Sequence, residues 1–205
     1  MGEAVLTTEN TVVIESKYAR VERERRFLLH ELPEPLTRAS LHTQITDNYI
    51  TNTRLRLRKI RVTQTNKWTV ELTQMFAIDP NDFSRTTVTN IYLSPKEYAV
   101  FSIFEGNEIR KNRYPFEHEG RAYSIDVFLG ALWGLILAET SFDDDKEMAT
   151  SQMPSFANRD VTNDEMFTGG KLAFLSVDEI RTHLAKSTRH NEETTILPEG
   201  GAPTE

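Results

Sequence analysis

The run Arg54-Leu55-Arg56-Leu57-Arg58 alternates basic and apolar residues with strict period two. An extended strand places those arginines on one face and the leucines on the other. The same alternation recurs along the chain. Glu22, Glu24 and Arg26 share one face of a strand over residues 21–29, and Thr69, Glu71 and Thr73 share one face over 68–73. Residues 85–93 alternate again and are rich in β-branched side chains, and further strands fit 108–114, 122–128 and 135–142. Seven or eight strands with few helices predict an antiparallel barrel or sandwich. In such folds a polar strand face ordinarily looks at water and mixes Lys, Thr, Ser, Gln and Glu. Here several faces concentrate arginine or carboxylate instead, which fits a fold that turns polar residues inward.

Helices are signalled by two capping boxes, Ser94-Pro95-Lys96-Glu97 and Ser176-Val177-Asp178-Glu179, each followed by spaced apolar residues. A shorter helix fits after Phe142, where Asp143-Asp144-Asp145 reads as a solvated helix start. Turns fit Glu105-Gly106-Asn107, Glu119-Gly120 and Thr168-Gly169-Gly170. No internal repeat divides the chain. The expected organisation is a loose arm over residues 1–17, one domain over 18–186, and a disordered polar tail over 187–205.

The hydrophobic share, 38% of 205 residues, is low for one compact domain and agrees with polar ends and a polar interior. The absence of cysteine excludes disulfides and thiolate metal sites, leaving oxygen or imidazole ligands for any metal. No basic segment followed by an apolar run opens the chain. The longest apolar stretch, residues 131–138, is broken by Gly134 and too short to span a bilayer. These features lead us to expect a cytoplasmic protein without a membrane partner. A net charge of −7 argues against general nucleic-acid binding. Basic residues nevertheless cluster at 20–26, 54–61 and 110–113, which suits a small polyanion.

Four groups of residues could carry chemistry. Glu22 and Glu24 converge on one strand face, as a hard divalent cation requires. Arg54, Arg56 and Arg58 repel one another unless an anion or water screens them, and guanidinium groups bind phosphate bidentately. Lys111 and Arg113 form a second basic pair at the same spacing. Asp126 and Glu139 stand in apolar strands, where a carboxylate is costly unless paired or metal-bound. Each group alone has a plainer reading, as a surface carboxylate pair, a solvated strand edge or a structural salt bridge.

Together the groups resemble the CYTH superfamily of triphosphate tunnel proteins. Glu22-x-Glu24-x-Arg26 before Phe27-Leu28-Leu29 is similar to the family's opening ExExK signature, with Arg for Lys. Thr53-Arg54-Leu55-Arg56-Leu57-Arg58-Lys59, Lys111-Asn112-Arg113-Tyr114 and Ser124-Ile125-Asp126-Val127-Phe128-Leu129-Gly130 follow in the family's order. So do the segment from Leu132 to Glu139 and Asp160-Val161-Thr162-Asn163-Asp164. The resemblance spans roughly residues 20–185. It implies a closed antiparallel eight-stranded β-barrel with a charged tunnel and a few peripheral helices.

The resemblance also implies roles. Glu22, Glu24 and Glu139 would hold Mg²⁺ or Mn²⁺ and serve catalysis. Arg26, Arg56, Arg58, Lys111 and Arg113 would grip phosphate, with Arg54, Glu71 and Asp126 in support. The implied activity is a triphosphatase acting on tripolyphosphate or a nucleoside or thiamine triphosphate, as a monomer or homodimer. The chain departs from the family pattern at four places. Glu71 stands where a lysine is usual, Thr87 and Thr89 where two glutamates are usual, and Ser141 in place of the second glutamate of a late Glu-x-Glu. A catalytically impaired polyphosphate- or nucleotide-binding protein is therefore the alternative, and a class IV adenylate cyclase a further one.

Other signals carry less. Gly169-Gly170-Lys171 lacks the flanking residues of a P-loop, and no Gly-x-Ser-x-Gly occurs. His30, His42, His118, His183 and His190 lack ligand spacing and are expected mostly at the surface. Trp68 and Trp133 are expected in the core or the barrel wall.

Overall fold

The computed structural model describes residues 18–195. The arm expected over 1–17 and the part of the tail beyond 195 lie outside the described residues. Nine strands occur among them: β1 (Arg20–Leu29), β2 (Thr43–Ile50), β3 (Leu55–Val62), β4 (Lys67–Asp79), β5 (Asp82–Tyr92), β6 (Gly106–His118), β7 (Arg121–Leu129), β8 (Ile136–Ser141) and the short β9 (Arg159–Asp160). The sheet runs β5-β4-β3-β2-β6-β7-β8-β1, and β1 returns to pair with β5. Every neighbouring pair is antiparallel, so the eight long strands close into a barrel.

Closure puts alternate residues of every strand inside. Glu22, Glu24 and Arg26 of β1 face the lumen, so Phe27 and Leu29 face out. The outward residues Phe27, Leu29, Tyr114, Ile125, Val127 and Ala138 form one apolar cluster, covered by Leu32, Leu36 and Phe156 from the loops. A second cluster joins the inward Ile109, Phe128 and Leu137 to Val161, Phe167, Leu172 and Ile180. The centre of the barrel stays polar. Strand β2 was not foreseen. Its inward residues are Ile45, Asp47 and Tyr49, and that mixture hides the alternation that other strands display.

Among the described residues, four α-helices accompany the barrel. In α1 (Pro95–Phe101), Ser94 accepts from the Glu97 amide, and the Ser94 amide donates to the Glu97 carboxylate at 2.7 Å. Helix α2 (Asp145–Thr150) is capped by Asp144, as the acidic run predicted. Thr168-Gly169-Gly170, expected as a turn, instead opens the short α3 (Gly169–Leu172). Helix α4 (Val177–Thr195) begins at the second capping box, where Ser176 and Glu179 exchange bonds, and it runs past the point where the tail was expected to begin. None of the described helices is long and apolar enough to cross a membrane.

Trp68 and Trp133 are not core residues. They are 54% and 57% exposed, Lys59 and Arg61 sit over Trp68, and Arg38 sits over Trp133. Each ring faces outward and meets a cation there.

The outer apolar layer holds the barrel closed where β1 meets its late partners. Phe27, fully buried, is among its largest members. Replacing Phe27 by Ala is expected to lower unfolding free energy by about 3–5 kcal/mol, read by urea titration. A loss under about 1 kcal/mol would mean that this layer does not bear on closure.

Candidate functional site

The lumen is a cavity of about 930 Å³. Arg56 and Arg58 enter it from β3, Lys111 and Arg113 from β6, and Arg26 from β1. Like charges brought so close require anions beside them. Asp47, buried on β2, accepts from Arg58 Nε at 2.6 Å and Nη2 at 2.8 Å, a two-bond fork. Arg56 Nε lies 3.9 Å from the same carboxylate. Asp126 on β7, also buried, accepts from Lys111 Nζ at 2.5 Å and from Arg113 Nε and Nη2 at 2.7 and 2.6 Å. Arg113 Nη2 also bonds Glu139. Asp126 thus holds both basic side chains of β6.

Burial alone would raise the pKa of Asp47, but the charge of Arg58 and its hydrogen bonds prevail and hold the carboxyl at about 2. Burial likewise works against ionised Glu139, and the charges of Lys111, Arg113, Arg26 and Arg58 push its pKa well below the usual carboxylate range. Glu24 goes the other way. Burial and the neighbouring Glu139 raise its pKa, against the pull of Arg26. Glu24 makes no hydrogen bond or ion pair among the described residues. Glu22 is engaged by Arg20 at 2.6 Å.

These carboxylates do not form a ready-made metal cage. Among the described residues, no three Asp, Glu or His side chains gather closely enough to hold an ion. Of the expected set, Glu22 and Glu139 are each tied to an arginine and Glu24 alone is uncommitted. An all-oxygen donor set with one free carboxylate still fits Mg²⁺ or Mn²⁺, since such ions are commonly held by one or two carboxylates plus substrate phosphates. The inward face of β5 adds little acid. After Asp82, which Ser84 and Arg85 occupy, it presents Ser84, Thr86, Val88, Asn90 and Tyr92. Thr87 and Thr89, expected at the inward places, lie on the opposite face, because Glu22 pairs with Thr86 and sets the alternation one residue away.

Arg54, Arg26 and Glu71 of the expected set take different positions. Arg54 precedes β3 and stacks on Phe76 at 4.0 Å, outside the set that lines the cavity. Arg26 lines the cavity, but its guanidinium donates to the carbonyls of Phe83 at 2.8 Å and Thr162 at 3.4 Å. One edge of β1 is shared between β5, at Arg20–Arg23, and β9, at Phe27 and Leu28, and Arg26 clasps the seam between them. Glu71 faces the cavity opposite Arg58 and carries no ion pair among the described residues. Among the lining residues, Asp47 and Tyr49 were missed because β2 itself was missed. The Tyr49 hydroxyl explains Gly169: a Cβ there would lie 1.9 Å from it. Among the histidines, His183 is half-buried and bonds Asp164 at 2.7 Å.

No family model matches the chain. An inorganic triphosphatase of Acetivibrio thermocellus is 38% identical over 96 residues, which is 42% of this chain and 60% of that protein. The chain therefore spans about three fifths of that relative's length. A solved structure described as the hypothetical protein NE1496 superposes with a TM-score of 0.51 at 22% identity, covering 76% of this chain and 99% of that one. A second, described as the inorganic triphosphatase NE1496, gives 0.50 at 22% identity, covering 75% and 95%. These likenesses show the same barrel fold.

Asp47 makes the lumen sensitive to acid. Its pKa of about 2 in the folded chain lies below the ordinary value of about 3.9, so the unfolded chain binds more protons between those values. The resulting stabilisation, on the order of 2 kcal/mol, is complete above about pH 5 and lost as pH falls toward about 2. In Asp47→Asn this increment is absent. The stability gap between wild type and variant should narrow over that range in urea titrations, and a gap independent of pH would refute the assignment.

Proposed function

We propose that the chain carries a CYTH domain and is a divalent-metal-dependent triphosphatase acting on a small triphosphate-bearing molecule. One observation carries the proposal: Arg56, Arg58, Lys111 and Arg113 face a common lumen, with Glu24 uncommitted in the same space. A triphosphate is a compact chain of anionic groups, the kind of ligand that convergent guanidinium and ammonium groups bind.

The side chains are arranged in advance of any ligand. Asp47 fixes Arg58 through Nε and Nη2, and Asp126 fixes Arg113 through the same atoms, leaving Nη1 of each for phosphate oxygens. Fixed donors lose little freedom on binding and stabilise the charge that builds on the leaving phosphate. Arg56 adds a buried Nε that has no acceptor. Glu24, with Glu22 and Glu139, would hold Mg²⁺ or Mn²⁺, which would supply polarisation of the phosphoryl group and of an attacking water. The walls of the barrel limit the water that reaches the phosphates.

A second proposal, a binding protein with impaired catalysis, draws support from Thr86, Val88, Asn90 and Ser141, neutral residues on the side where further carboxylates would serve a metal. Phosphate release from tripolyphosphate, ATP and thiamine triphosphate with Mg²⁺ or Mn²⁺ separates the two. The triphosphatase is expected to release phosphate only with metal, and Glu24→Ala to lose at least about a hundredfold in kcat/KM. Full activity in Glu24→Ala would reject the assignment. Ligand-induced thermal stabilisation without release would establish the binding protein.

A further inference from the structure

The lumen is chemically lopsided. The paired charges come from β1, β2, β3, β6, β7 and β8. Strands β4 and β5 instead present three cross-strand pairs between Glu71 and Asp82: Thr73 opposite Asn90, Met75 opposite Val88, and Ala77 opposite Thr86. This strip is neutral and half apolar. Laid against a bare polyphosphate, Met75 and Val88 would strip water from anionic oxygens and return no hydrogen bond. Laid against the flat face of an organic group, they gain contact area. The cavity volume of about 930 Å³ also falls at the upper end of the roughly 300–1,000 Å³ range typical of sites for drug-sized ligands, well beyond the girth of three linked phosphates.

Two orphan atoms border the strip. Asn90 Oδ1 is buried without a donor, and Arg56 Nε is buried without an acceptor. They belong to one cross-strand row, Arg56–Thr73–Asn90, in which Arg56 Nη2 donates to Thr73 Oγ1 at 3.3 Å. Unpartnered buried polar atoms are uncommon and unfavourable. A single ligand satisfies both if it offers an anionic oxygen to Arg56 and an N–H to Asn90.

We infer that the substrate is an organic triphosphate whose heterocycle, bearing an N–H donor, lies on the β4–β5 strip, with Asn90 as the specificity-determining residue. The inference rests on the triphosphate reading above and selects within it. The Met75 and Val88 side chains supply the surface, Asn90 tests for the donor, and Arg56 registers the phosphate end. The shared chemistry is an aminated heterocycle, which purine, cytosine and thiamine triphosphates all offer.

The test is kcat/KM for tripolyphosphate, ATP, CTP and thiamine triphosphate in wild type, Asn90→Ala and Met75→Ala, with Kd for the same ligands by calorimetry. The three organic ligands separate the sources of the heterocycle. At least one is expected to exceed tripolyphosphate by tenfold or more. Asn90→Ala and Met75→Ala should each reduce that substrate about tenfold while moving tripolyphosphate by less than about twofold. A preference for tripolyphosphate, or an equal loss for all ligands in both variants, overturns the inference and leaves the triphosphatase standing. Neither binding nor turnover of any of the four overturns both.

Discussion

Cations that face one another across a closed barrel repel, and the fold depends on how that repulsion is answered. Asp47 and Asp126 answer it. Each is almost wholly buried, and each holds the cations of a neighbouring strand through short, directed bonds. Buried ion pairs add little net stability over apolar contacts of equal volume, but removing one partner strands the other charge at a cost of about 3–5 kcal/mol. The two aspartates are therefore what allows Arg58, Lys111 and Arg113 to exist in the lumen at all. They also hold those groups in place before any anion arrives. Stability and preorganisation come from the same bonds.

The apolar core is displaced by this arrangement. With the centre of the barrel given to charge, burial moves to the outer wall and to one end. Phe27, Tyr114 and Ile125 pack beneath the loops on one side, and Phe128, Phe167 and Ile180 pack at the end where α3 and α4 lie. A chain with 38% hydrophobic residues can be stable in this form because loops and helices, not a second sheet, cover the barrel. Gly169 shows how tight the join is, since the Tyr49 hydroxyl leaves no space for a side chain there.

Alternation made most of this legible before any coordinates. The arginines of β3, the pair on β6 and the acids of β1 all stood on faces that the period assigned correctly, and both capping boxes lie where the helices begin. Strand β2 escaped because Ile45, Asp47 and Tyr49 share a face without sharing a polarity. With it went Asp47, the partner that makes Arg58 tolerable. On β5 the strand was found but its phase was not: a run of threonines looks the same shifted by one residue, and the choice is made by pairing with β1, which is remote in sequence. Arg26 was legible as a lumen residue but not as a clasp, because the carbonyls it bridges come from β5 and from the loop after β9, segments remote in sequence whose approach local sequence does not encode. Trp133 was misplaced for a related reason, and Trp68 lies on the barrel wall but outside the core. Their cations arrive from other segments and give the rings a role outside the core.

The pairing of β1 has a consequence for how the barrel is assembled in time. Most staves join their sequence neighbours through hairpins, but β1 meets Val88 through Arg20, Ser141 through Glu24 and Asp160 through Phe27. During synthesis it emerges first and must wait for nearly the whole domain before its edges are satisfied. Contacts this distant carry the largest loop-closure cost, so the first stave is among the last to seat. Because β1 bears Glu22, Glu24 and Arg26, the lumen gains these three side chains only when that stave seats. The lumen becomes a site only at the moment the cylinder shuts.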